Sequence, residues 1–512
     1  MDTKLYIYID KMPEKILDYW HQDLSMENME VNRMLHTPIL QWLPEGEFSY
    51  LGCEKIKELK VGNTNKIVFK IDSNLYWEDG AKVISKDFYF WLLVKKSKFN
   101  IKGEKMPWLY SEIEIVTDDV FAITFDPLYP FGNINDTLIA APSHLLIDEW
   151  KKVCNQETDA VEFFSNINPV SNGKYKLNHI SEQTILLELN EANNKLYENA
   201  DYKKVEFRSI CKEKIEYKKD MIVISNDYEM KKEMDNSLQL LSMLRDSNTW
   251  VHFEFNCFCN SIFSNKELRK IVCNLIDIEK IIYALNNEEI RRVDNFIYDK
   301  SKMYKCNPKR FNKKRALTNL KKLGYSVWDD GYLHSQNGIK LMIRLISLSG
   351  VRFIEETCEI IKKDFMSVGI DLIVEYASHE ELFSEHYILN GENNSFDMIL
   401  NFWKSNPVFE KGEMYVGRIL EESNIPTLKN GYRGSNVSGY VNEEYDYMFR
   451  DFCLEVDLKE RNKLLCKMAR HFEKEMLAVS LFQKSEKIYF SKNLSSIKSD
   501  AFTQTITWNF SM

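Results

Sequence analysis

Glycine (18 residues) and proline (11) are scarce in this 512-residue chain, and it has no low-complexity tract or fixed-period repeat. Flexible linkers and repeat architectures are thereby excluded. No apolar run approaches the roughly 20 residues of a membrane-spanning helix. Positive charge is in deficit as well: 68 Lys and Arg against 77 Asp and Glu give a formal net charge of −9. That balance excludes a general nucleic-acid binder, whose affinity rests on a positive surface. The one basic cluster, Lys309-Arg310 with Lys313-Lys314-Arg315, precedes Ala316, Leu317, Leu320 and Leu323 and reads as the solvated face of a helix.

Catalytic signatures are missing too. The chain has no Gly-x-Ser-x-Gly elbow, phosphate-cradling loop, dinucleotide fingerprint or His-Glu-x-x-His motif. No enzyme class is favoured, so no catalytic residue, cofactor or metal site is expected. His252 with Cys257-x-Cys259 has metal-ligand chemistry, but Phe253, Phe255, Cys257 and Cys259 alternate as one apolar face of a strand would. His379 and His386, among Glu380, Glu381 and Glu385, read as exposed helix surface.

The first ten residues lack a basic segment, an apolar segment and a small-residue cleavage site, and read as an immediate strand from Lys4. Either Met1 is the native start of a cytoplasmic protein or an export signal is absent from the sequence. The ten cysteines are scattered through apolar runs such as Ile271–Ile276, as reduced buried thiols would be, and favour the first alternative.

What is present is ample material for packed cores, 44% hydrophobic and 13% aromatic residues, in a chain long enough for two or three domains. The pattern predicts a helix near 26–43, a strand over 66–71 and a hairpin over 112–125. A short helix from Ser143 and strands over 184–189 and 202–210 follow. From about Asn260 helices and strands alternate, which implies an α/β domain with a partly parallel sheet. Asn307 with Pro308 starts one helix that Gly324 ends. Ile354, Cys358, Ile361, Phe365 and Val368 mark the buried face of the next, which stops at Gly369. Strands over 340–346, 371–375 and 396–402 intervene. A long helix with Leu458, Leu465, Met468, Phe472 and Met476 on one side leads to a late strand over 487–490.

The most informative stretch is Asn74-Leu-Tyr-Trp-Glu-Asp-Gly80 followed by Ser85-Lys-Asp-Phe88. Asp79-Gly80 suits a turn with a positive φ, Ser85 can cap the helix that follows, and Asp87 stands where the helix dipole welcomes negative charge. Further segments follow in order: Asn172-Gly173-Lys-Tyr175, Leu189-Asn190 with Tyr197 and Tyr202, Phe255-Asn256, and Asn265 through Asp277. Leu323-Gly324-Tyr325, Gly369-Ile-Asp-Leu372, Phe396-Asp397 and Gly439-Tyr440-Val-Asn442 with Tyr445-Asp446 complete the series. Together they resemble the family 5 extracellular solute-binding proteins, the oligopeptide, dipeptide and nickel receptors of ABC transporters, over roughly residues 4–495.

The resemblance implies a two-lobed α/β fold of the periplasmic-binding-protein type, with a hinge and an extra subdomain in the first lobe. The expected lobe I is 1–45 with 165–262 and 475–512, the subdomain 46–164, and lobe II 263–474. It implies a non-enzymatic protein, monomeric, that binds a peptide or peptide-like ligand in a cleft closing by hinge motion. An ABC permease would be its partner and its place extracytoplasmic. A cytoplasmic relative that senses such a ligand, or presents it to an enzyme or regulator, is the alternative. Trp403, Asn406, Tyr440 and Asn436 are the expected ligand-binding residues. In peptide receptors of the family an Asp three residues after a Trp pairs with the ligand's ammonium; Trp403-Lys-Ser-Asn406 puts a neutral amide there. The family's Leu-Asp-Pro element is Leu17-Asp18-Tyr19, and Ser85 replaces an alanine.

Overall fold

The computed structural model describes residues 3–13, 16, 26–42, 48–61, 64–95, 111–124, 140–155, 170–197, 202–210, 215–294, 311–393, 395–404, 420–432, 434–455 and 458–494. The chain divides into two units: residues 1–245 with 486–512, and residues 246–485. Both crossings fall inside strands, Leu240–Phe255 on the way out and Ala478–Ser491 on the return.

In the first unit, strand Lys4–Ile9 is flanked on both sides by parallel neighbours, Lys204–Ser209 and Met221–Ile224. Antiparallel strands Thr184–Leu189 and Tyr175–Ile180 extend the sheet on one side, and the end of the return strand pairs with Met221–Ile224 on the other. Leu5, Ile7, Val205 and Phe207 are fully buried, so alternation along each strand delivers one apolar face to the core. A second, antiparallel sheet runs Cys53–Val61, Thr64–Ile71, Val120–Thr124, Glu112–Ile115. Phe69, Phe88 and Phe121 stack in its core.

In the second unit, Met342–Leu348 runs parallel to both Asp371–Ala377 and Met398–Lys404, and the latter pairs antiparallel with Thr249–Phe255. Helix Arg352–Met366 joins the first two strands and buries Ile354, Cys358, Ile361 and Phe365 against them. Gly369, at φ +79°, turns the chain into the next strand, as expected. Helices Glu443–Leu454 and Leu458–Glu475 pack around Tyr445, Phe452, Leu465, Met468 and Phe472.

Several sequence expectations need correction. The first helix ends at Leu35, not near residue 43, because Pro38 lacks a donor and biases Thr37 away from helical dihedrals; Leu40–Trp42 is a strand. The helix expected from Asn307 is Lys313–Lys322, with Asn312 as its cap accepting from the Arg315 amide at 2.9 Å; Asn307 and Pro308 lie outside the described residues. Helix Ser143–Asn155 is longer than foreseen. The late strand begins at Ala478, not 487. Strand Leu240–Phe255 stops before Cys257, so Cys257 and Cys259 do not share its apolar face. His379 lies in a one-turn helix, His379–Leu382, that His386 does not join; both are exposed. The basic residues Lys313, Lys314 and Arg315 are exposed, as expected, beside an open depression of about 470 Å³. Cys53, Cys257, Cys259, Cys273, Cys358 and Cys466 are free thiols.

Candidate functional site

In the first unit the distinctive motif closes on itself. Gly80 takes φ +87° and its amide donates to the Trp77 carbonyl at 2.9 Å. The Trp77 indole N–H donates to Asp87 Oδ2 at 3.0 Å, the Ile84 amide donates to the same oxygen, and the amide and hydroxyl of Ser143 donate to Oδ1. Burial pushes the Asp87 carboxyl up from its ordinary range, against the pull of those four donors. The Ser85 hydroxyl donates to the Asp118 carbonyl in the hairpin. Asp79 meets His144 Nε2 at 2.8 Å.

A knot of asparagines lies next to this turn. Asn193 Nδ2 donates to the carbonyls of Tyr76 and Asn172, and its Oδ1 accepts from the Tyr76 amide at 2.7 Å. Asn190 Nδ2 donates to the Gly173 carbonyl, and Asn172 Oδ1 accepts from the Thr37 amide. A Cβ on Gly173 would fall inside the backbone of Met34, Leu35 and His36, so only glycine fits. His36 beside it is buried, and burial lowers its pKa to about 4.

At the carboxyl end of Lys4–Ile9, Asp10 accepts from the Ser225 hydroxyl at 2.5 Å and the Asn226 amide at 2.6 Å. The chain leaves Lys4–Ile9 for strands on one side of the sheet and Met221–Ile224 for strands on the other. Such a switch point is where open α/β sheets bind ligands. Sequence reasoning missed Asp10; its signal was an acid directly after a parallel strand.

In the second unit, Asp397 opens strand Met398–Lys404 and is clamped by Arg344 through the backbone amide at 2.8 Å, Nε at 3.1 Å and Nη2 at 3.0 Å. Asn256 donates its Nδ2 to the Phe396 carbonyl and its amide to that of Asp397. At the far end, Trp403 pairs in register with the buried Trp250, and Lys404 with Thr249. Trp403 therefore stands at the carboxyl end of a strand that runs parallel to its neighbour. Asn406 lies outside the described residues.

Asn436 and Tyr440 share a loop. Asn436 is fully buried, donates Nδ2 to the carbonyls of Glu421 and Tyr440, and accepts on Oδ1 from Ser438. Its amide is spent on the shape of the loop. The Cys257 amide donates to the Ser438 carbonyl at 2.7 Å, and a Cβ on Gly439, at φ +64°, would strike the Phe258 ring. Tyr440 is half-buried; its hydroxyl lies 2.8 Å from His471 Nε2. Burial raises the Tyr440 phenol and lowers the His471 imidazole. The structure thus brings Asn436 and Tyr440 together. Among the described residues no three His, Cys, Asp or Glu side chains gather as a metal cluster, and no helix is long and apolar enough to cross a membrane.

Residues 59–416 match the family described as bacterial extracellular solute-binding proteins, family 5 middle. No curated protein sequence matches the chain. Solved structures do. NikA from Brucella suis, in complex with Fe(III)-EDTA, is similar with a TM-score of 0.79 at 14% identity, covering 99% of this chain and 98% of its own. NikZ from Campylobacter jejuni, in complex with Ni(L-His), gives 0.73 at 16% identity over 100% and 99%. The oligopeptide-binding protein of Thermus thermophilus, complexed with a pentapeptide, gives 0.70 at 18% over 96% and 92%. At these identities the likeness shows the fold.

Proposed function

The chain belongs to the bacterial extracellular solute-binding proteins of family 5, and from that premise we propose that it is a receptor for a peptide or peptide-like ligand. The family's members are non-enzymatic receptors that work with ABC permeases. The observation that carries the finer reading is the place of Trp403, at the end of a strand parallel to Met342–Leu348 and in register with Trp250. Strand ends of this kind are where α/β folds open to ligands, and an aromatic there offers wall area without demanding a charge.

Asn406 sets the specificity in this proposal. An amide accepts a hydrogen bond but supplies no charge-assisted pair, so a ligand's free amino terminus gains little over a blocked one. Tyr440 lines the site and Asn436 holds the loop that carries it. The proposed bodies remain lobe I, its subdomain 46–164, and lobe II, and the chain acts as a monomer without catalysis.

The test is calorimetry with matched free and acetylated peptides, chosen from those found by native mass spectrometry in protein purified from its own cell. The unmodified protein should bind both forms alike, and Asn406→Asp should favour the free form by about 1 to 3 kcal/mol. A strong free-amine preference in the unmodified protein shows that another carboxylate does this, and removes Asn406 from its role. Trp403→Ala should weaken both forms equally.

The free thiols Cys53, Cys257, Cys259, Cys273, Cys358 and Cys466 favour a second reading, a relative in a reducing compartment that senses such a ligand or presents it to an enzyme or regulator. Thiol titration of the denatured, unreduced protein should then find close to ten free groups. Four or more already paired would favour an oxidising compartment.

A further inference from the structure

We propose that Glu30, Arg245 and Glu486 form an ionic clamp that makes the chain's two crossings between units a single joint. Arg245 is the last residue of the first unit on the way out, and Glu486 is its first residue on the return. The two meet: Arg245 Nη2 donates to Glu486 Oε2 at 2.8 Å, while Nη1 donates to Glu30 Oε1 at 3.2 Å on helix Met26–Leu35. Arg245 and Glu30 have side-chain exposures of 1% and 0%, and Glu486 15%. One guanidinium fork thus ties both crossing strands to one helix of the first unit. The next residue, Lys487, reaches Asp235 Oδ1 at 2.5 Å and adds a tie to helix Tyr228–Asp235.

Stability alone does not account for three charges placed here. Removing two carboxylates and a guanidinium from water costs about as much as their attraction returns, and apolar groups of similar volume serve a buried core as well or better. What the charges supply is direction. A planar fork accepts two carboxylates only in a fixed geometry, whereas a leucine cluster tolerates sliding. On the second unit's side the return strand is held otherwise, by the Ser485 amide on the Glu289 carbonyl at 2.6 Å and by Arg291 on Gln483. The clamp therefore belongs to the first unit, and bending is directed to the residues beyond it, from Asp246 onward and before Glu486. Arg245 acts in this as a positioning residue.

Full-length variants test this without any ligand, so the outcome is separate from that of the ligand proposal. Glu486→Gln removes one charge and keeps the shape. The triple variant Glu30→Leu, Arg245→Met, Glu486→Leu replaces the whole clamp and remains informative if single variants fold poorly. Backbone hydrogen exchange and the distance distribution between two spin labels, one in each unit, are measured on the free protein. In both variants, exchange over 240–249 and 482–491 should rise by about tenfold or more, while Lys4–Ile9 and Met342–Leu348 stay as they were. The distance distribution should broaden. Unchanged exchange at the crossings overturns the proposal. So does a rise spread evenly over the first unit, which marks a merely stabilising triad, or a rise at one crossing alone, which shows that the two are not joined.

Discussion

The segments by which the family is recognised and the residues expected to meet ligand are built in opposite ways. In the first unit Trp77, Asp87, Asn172, Gly173 and Asn193 lie at the centre of a buried network of hydrogen bonds made within the unit. In the second unit Trp403 stands at the end of a strand, and Tyr440 is half-buried on a loop held by Asn436. The first group specifies a frame. Its chemistry says nothing of what is bound; solved structures that share the fold are in complex with a pentapeptide, Ni(L-His) and Fe(III)-EDTA.

This comparison can be broken first at Gly173. Gly173→Ala puts a methyl into the backbone of Met34–His36 and should cost about 4 kcal/mol or more, or abolish folding; urea denaturation with native stability would show that the contact yields. Asp87→Ala strands four donors and should cost about 3 to 5 kcal/mol, measured the same way, without altering the affinity of protein that remains folded. A lost affinity at full stability would move Asp87 from frame to site.

His36 gives the frame a pH signature. Its pKa is about 4 in the folded protein against an ordinary 6.5, so the folded state keeps it neutral while the unfolded state takes up a proton below 6.5. Its contribution to stability is complete above pH 6.5 and lost as pH falls toward 4, about 3 kcal/mol in all. Stability of His36→Gln against pH 7 to 4.5 should show a flatter slope than the parent; equal slopes would remove the histidine from the account. The smallest effect belongs to the loop: Tyr440→Phe removes one hydroxyl contact to His471 and should cost about 1 kcal/mol in melting while changing ligand affinity. A variant with altered melting and unchanged affinity would assign Tyr440 to the frame.

The sequence made the frame legible where local chemistry and burial agree. Helix Arg352–Met366 and the Trp77–Gly80 turn are such places: apolar spacing in the one and a positive-φ glycine in both point one way. Strand Ala478–Ser491 was foreseen only in its last third. Gln483, Lys484 and Glu486 interrupt its apolar pattern, and their partners Arg291, Glu289 and Arg245 are far away in the chain. Pairs of that kind leave no local trace. Asp10 was missed for a related reason, since its meaning depends on two strands that flank it from residues 204–209 and 221–224.

The first unit's discontinuity also bears on how the protein is made. Met221–Ile224 receives its outer neighbour, Phe490 to Ile488, only after the entire second unit has left the ribosome. Until then the emerging polypeptide presents an open, apolar strand edge, with Met221, Ile222 and Val223 destined for full burial. Newborn chains therefore face their greatest danger of sticking to one another in this interval, and a factor that shields that edge during translation would raise the yield of soluble protein more than one acting on the finished chain.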